Sequence, residues 1–163
     1  MKKLILIISC SIFMFSCGIN NKYLSDKKPY VSPPLTEKEV YQWNTMCGKW
    51  YGKSNLEGNE KREWLIDRKN DGSYITIFIT IDQNGIRDKT IEKGEWGLSG
   101  NIYFTIFKSQ IHNGNQFYAD PSDPINRDSY KVLKLNNNLF KYMHLRTHVK
   151  YEVTKVNSTF ELK

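Results

Sequence analysis

The N-terminal apolar stretch, Leu4 to Ser16, holds thirteen uncharged residues and falls short of the ~20 that a membrane-spanning helix requires. Cysteine is scarce, with 3 in 163 residues, and Cys10 and Cys17 both lie close to the N-terminus. No run of five or six like charges occurs: Lys27-Lys28, Lys61-Arg62, Arg68-Lys69, Lys131 and Lys134 are separated by acids and polar residues, which excludes a charged interaction tail. There is also no nucleophile elbow, no phosphate-cradling glycine loop and no metalloprotease motif, so the chain reads as a non-enzyme without cofactor or metal. What remains is 39% hydrophobic, 13% aromatic and 25% charged residues, the profile of one globular domain. The formal net charge of +7 is read as a solvated basic surface, with attraction to anionic lipid headgroups as the alternative.

Lys2 and Lys3 ahead of a short apolar region have the form of a secretion signal. The region ends Met14-Phe15-Ser16-Cys17-Gly18, which resembles the lipobox of bacterial lipoproteins. That resemblance implies a signal peptide over 1–16, acylation of Cys17 by palmitate-type chains, and attachment to the cell envelope. Gly18 in place of Asp after the acylated cysteine implies the outer membrane, facing the periplasm. Nucleic acid is not an expected partner in that compartment. Cys10 would leave with the signal and Cys17 would carry lipid, so Cys47 would be the single thiol, and no intrachain disulfide would form.

Residues 17–35 are rich in Asn, Lys, Ser, Asp and Pro and end in Pro33-Pro34-Leu35, which predicts an extended tether. Thr36-Glu37-Lys38-Glu39 is a capping box, and a short helix should follow as far as about Met46. After Gly48 the apolar period changes to alternation, giving eight strand signals near 48–57, 60–68, 73–82, 88–98, 101–110, 128–135, 139–145 and 148–156. Asn70-Asp71-Gly72, Asn84-Gly85, Ser99-Gly100 and Asn136-Asn137-Asn138 punctuate them as hairpin turns. The fold class is therefore all-β: an eight-stranded antiparallel up-and-down meander over 36–163, preceded by one short helix. Ile75, Ile77, Ile79 and Ile81 share one face of the third strand, opposite Tyr74, Thr76, Phe78 and Thr80. Such a sheet closes into a barrel or finds a second sheet, and closure removes its edges.

The helix leading into Gly48-Lys49-Trp50-Tyr51-Gly52 resembles the G-x-W opening of lipocalins, and Glu95-Trp96-Gly97, Tyr130-Lys131-Val132 and Phe140-Lys141-Tyr142 resemble landmarks of small bacterial lipocalin-like lipoproteins. The resemblance implies a lipocalin-like barrel with Trp50 as its plug and a cation from the last strand across the indole. Lys155 takes the place of the family's arginine there. It also implies a cavity for a small hydrophobic or lipid ligand, for which Trp64, Ile75, Ile77, Ile79, Trp96 and Phe104 are the candidate lining residues. Those side chains could equally fill the interior. The other function class is a protein-binding envelope lipoprotein, an assembly factor or immunity-type inhibitor using the 111–127 loop. His144 and His148 flank a turn and read as exposed polar residues, since two histidines without further ligands do not make a zinc site. Asp120-Pro121-Ser122-Asp123-Pro124 reads as a rigid lid or brace.

Overall fold

A computed structural model describes residues 34–162. The expected signal peptide, Cys17 and all but the last two tether residues lie outside the described residues. Helix α1 spans Glu37–Met46, and its capping box forms: Glu39 donates its backbone N–H to Thr36 Oγ1 while its carboxylate accepts from the Thr36 N–H. Nine strands follow: β1 Gly48–Asn55, β2 Lys61–Arg68, β3 Ser73–Ile81, β4 Arg87–Ser99, β5 Ile102–His112, β6 Asn115–Tyr118, β7 Arg127–Leu135, β8 Leu139–His144 and β9 Lys150–Lys155.

Each of β1 to β5 pairs antiparallel with the next strand; β5 then pairs with β7, β7 with β8, and β8 with β9. Pairing of β9 with β1, with Trp50 opposite Lys155, closes the ring. The result is a closed eight-stranded antiparallel barrel with one short helix at its N-terminal side. Strand β6 is an addition within the stretch read from sequence as a loop. Asn113 and Gly114 both take positive φ, 50° and 77°, and turn β5 back on itself as a two-residue hairpin. At four exposed residues, β6 is too short to produce a periodic signal.

Two cross-strand rows show how the wall is oriented. Trp50, Ile66, Thr76, Glu92 and Gln110 are successive partners across five strands, and this row faces inward. The adjacent row, Tyr51, Leu65, Ile77, Ile91 and Ile111, faces outward. Because barrel strands tilt against the axis, the inward row climbs from the α1 end at Trp50 toward the opposite mouth.

The α1 end is sealed. Met46, Trp50 and Phe140 are fully buried, and Trp50 Nε1 donates to Met46 O at 2.9 Å. Trp43 of α1 stacks on Trp96 with ring centroids 4.3 Å apart. The two indoles are held by bonds to Asn70 Oδ1 and Lys69 O. Lys155 Nζ stands 5.0 Å from the Trp50 ring centroid and donates to Thr45 O and Cys47 O, both at 2.7 Å. Carbonyls at a helix C-terminus lack intrahelical partners, so a lysine there satisfies them and complements the helix dipole. Half-buried Cys47 lies within this packing, and burial pushes its thiol pKa up.

Candidate functional site: a tyrosine-walled cavity

Opposite α1 the barrel opens on a cavity of about 770 Å³, within the ~300–1,000 Å³ range of ligand sites. Strand alternation decides its lining. Tyr74, Thr76 and Phe78 of β3 point into it, as do Tyr103, Thr105 and Phe107 of β5, with Tyr130, Tyr142 and Tyr151 on the far wall. Tyr103 stacks on Tyr130 at 5.3 Å and Tyr142 on Tyr151 at 5.2 Å, while Tyr103 and Tyr142 meet edge to face at 5.6 Å. Aromatic pairs at these separations are worth ~0.5–1.5 kcal/mol beyond burial, so the wall is a mutually braced surface. Trp64 completes it, its indole lying against Gly52, where a Cβ would stand 2.3 Å from the ring.

Of the residues singled out from sequence for the cavity, Trp64 lines it and five do not. Ile75, Ile77 and Ile79 are on the outer face of β3, with Ile75 39% exposed. Their phase is set by the inward register of Ile66 with Thr76, which sends every odd-numbered β3 residue outward. Phe104 also faces out and lies across Gly97, where a Cβ would come within 2.2 Å of its ring. Trp96 is inward but consumed in the seal with Trp43. Inferring the interior from the more apolar face of β3 assumed a hydrocarbon core, whereas this interior is aromatic and polar.

Three carboxyl groups line the cavity, Glu92, Asp128 and Glu152, the last paired with Lys141, and the sequence had pointed to none of them. Glu92 accepts a hydrogen bond from the Tyr74 hydroxyl at 2.5 Å. Burial pushes the Glu92 carboxyl above the ordinary carboxylate range; the Tyr74 bond opposes this and the charge of Asp128 reinforces it. Asp128 meets His144 Nε2 at 2.9 Å and lies 3.7 Å from Arg146. His144 Nδ1 accepts from the Thr147 N–H at 3.0 Å, so the imidazole proton sits on Nε2 and is donated to Asp128. His144 is therefore buried and engaged, contrary to its reading as an exposed residue. Burial likewise drives the hydroxyls of Tyr74, Tyr130 and Tyr142 well above the ordinary tyrosine range.

Beneath the floor lies Arg68, 1% exposed, donating Nε and Nη2 to the Tyr103 hydroxyl at 3.3 and 3.0 Å. Its guanidinium stands over the Tyr103 and Phe140 rings at 4.8 and 5.4 Å. Guanidinium over aromatic faces is a favourable way to hold a desolvated charge. At the mouth, Asp120 accepts from the Ser122 N–H and hydroxyl, and Arg127 Nη2 donates to Pro121 O. These bonds hold a compact brace that presents Ile125 and Asn126 to the cavity. Among the described residues there is no cluster of three or more potential metal ligands.

No family model and no curated protein matches the sequence. Among solved structures the chain is similar to a lipocalin-like protein from Bacteroides uniformis, at 16% identity and a TM-score of 0.42, over 69% of this chain and 99% of that one. The ring of strand pairings described above, closed by β9 on β1 behind a single short helix, is the eight-stranded antiparallel up-and-down barrel expected from the sequence.

Proposed function

We propose that the chain is a lipid-anchored binding protein of the bacterial cell envelope that holds one small amphiphilic molecule inside its barrel. The cavity carries this reading: about 770 Å³ of space, open at one end, with rigid aromatic walls and a few fixed polar groups. Aromatic faces bury the apolar part of a ligand, and the tyrosine hydroxyls and carboxyl groups orient its polar part. Acylation at Cys17 and a tether over 17–35 would hold the barrel at the outer membrane, facing the periplasm. No catalytic step is part of this reading. The other reading, a protein-binding lipoprotein, is favoured by Phe117 and Tyr118 of β6, which are 51% and 76% exposed beside the mouth.

Native mass spectrometry of a Cys17→Ser protein, exported behind an ordinary cleavable signal and gently extracted, tests the carrier reading. A co-purifying small-molecule adduct is expected, and Thr76→Trp, which fills the cavity from its wall, should abolish it. A bare mass in the unsubstituted barrel, together with a stable protein complex lost on Tyr118→Ser, would favour the protein-binding reading. In the host, a clickable palmitate analogue should label the natural chain and not Cys17→Ser.

A further inference from the structure

One of the polar groups on the cavity wall is a half-buried carboxyl that no cation of the described residues pairs. Glu92 belongs to the inward row, between Thr76 and Gln110 on the neighbouring strands. Among the described residues it forms no ion pair, and its hydrogen-bonding partner is the Tyr74 hydroxyl on Oε1. The cations of the barrel are directed elsewhere. Arg68 lies under the floor, bonded to the Tyr103 hydroxyl and packed on two rings, while its Nη1 has no hydrogen-bond partner among the described residues. Lys53, Arg62 and Lys150 belong to strand ends at the mouth. Asp128, the second carboxylate, accepts from His144 of β8 and is paired with Arg146, so it is partly compensated where Glu92 is not.

Tyr74, Tyr103, Tyr130 and Trp64 line the same cavity, Tyr74 meeting Glu92 through its hydroxyl and the Tyr103 ring packed against Arg68 and Tyr130. Aromatic faces attract cations by their quadrupole, and a desolvated carboxylate without a partner is costly until a cation meets it. A carboxylate ligand would face carboxyl groups of its own sign, and a plain hydrocarbon would leave Glu92 without an ion-pair partner.

We infer that the ligand of this cavity carries an organic ammonium group, held by the Glu92 carboxylate, with its apolar part extending along the aromatic wall. This assignment rests on the binding reading above and specifies its ligand class. Asp128, already bonded to His144, contributes longer-range attraction.

Three probes with one tail, octylammonium, octanol and octanoate, test it by calorimetric titration of the lipid-free Cys17→Ser protein. Octylammonium is expected to bind about tenfold or more tighter than octanol, the scale of one charge-assisted hydrogen bond, with octanoate weakest. Glu92→Gln keeps an acceptor for Tyr74 and should bring octylammonium to within about twofold of octanol. Equal binding of the ammonium and the alcohol overturns the ammonium assignment and leaves the cavity reading standing. A preference that survives Glu92→Gln overturns the role of Glu92. Failure of all three probes to bind, with Thr76→Trp indistinguishable from the unsubstituted barrel, overturns both readings. The comparison within the unsubstituted protein is decisive even if Glu92→Gln fails to fold.

Discussion

Lys155 ties three parts of the barrel together through one atom. Its Nζ bonds two carbonyls at the end of α1 and stands over the Trp50 ring, while its backbone pairs β9 with β1 where the barrel closes. Lys155→Met keeps the aliphatic stem but leaves those carbonyls without a charged donor. A loss of about 2 kcal/mol of stability is expected, measured by urea unfolding, since hydrogen bonds to charged groups contribute about 1.5–3 kcal/mol. Single residues were unevenly legible in the sequence. Trp50 stood out because a G-x-W at a helix-to-strand junction has a defined place. Glu92 did not, because one glutamate among alternating charged residues in Ile91-Glu92-Lys93 has the same spacing whether it points in or out.

At the scale of elements, the close approach of strands β3, β4 and β5 depends on Gly94. A Cβ there would stand 2.2 Å from Ile106 O and 2.6 Å from the Tyr74 ring, closer than atoms can pack. The register between β4 and β5 also shifts between Lys93 and Gly94, which bends the wall at the level of Glu92. Gly94→Ala should cost about 1–3 kcal/mol in a thermal melt, the usual cost of overpacking. It should also displace Tyr74 from Glu92 and so weaken octylammonium binding more than octanol binding. Strand existence was readable because turn residues such as Asn70-Asp71-Gly72 and Asn136-Asn137-Asn138 have local causes. The phase of β3 was not, because both of its faces carry large side chains. Ile77 and Phe78 are comparable hydrophobes, and only their cross-strand partners, Ile91 and Thr90, belong to definite faces of the closed wall.

For the whole molecule, the buried tyrosines make alkaline stability a property of the barrel. In the unfolded chain they lose their protons near pH ~10, whereas in the folded barrel burial holds Tyr74, Tyr103, Tyr130 and Tyr142 above that value. Above pH ~10 the unfolded state therefore binds fewer protons than the folded one, and stability falls as pH rises; below it these groups contribute no slope. A tyrosinate absorbance titration should show these hydroxyls ionising together with loss of the near-ultraviolet dichroism. Smooth titration of all tyrosines with the fold intact would contradict their enclosure.

The sequence by itself determined the elements of this barrel: the capping box that starts α1, the turns that separate the strands, and the alternation that makes each strand two-faced. Those are local matters, settled by backbone conformation and by neighbours a few residues apart. Only the tertiary structure decided which face looks inward, that β9 returns to β1, and that the interior is a tyrosine-walled space rather than an isoleucine core. Closure pairs residues about a hundred positions apart, such as Trp50 with Lys155, and that pairing sets the phase of the strands around the ring. Volume, burial and the balance of charge around Glu92 are consequences of that closure, and no spacing along the chain encodes them.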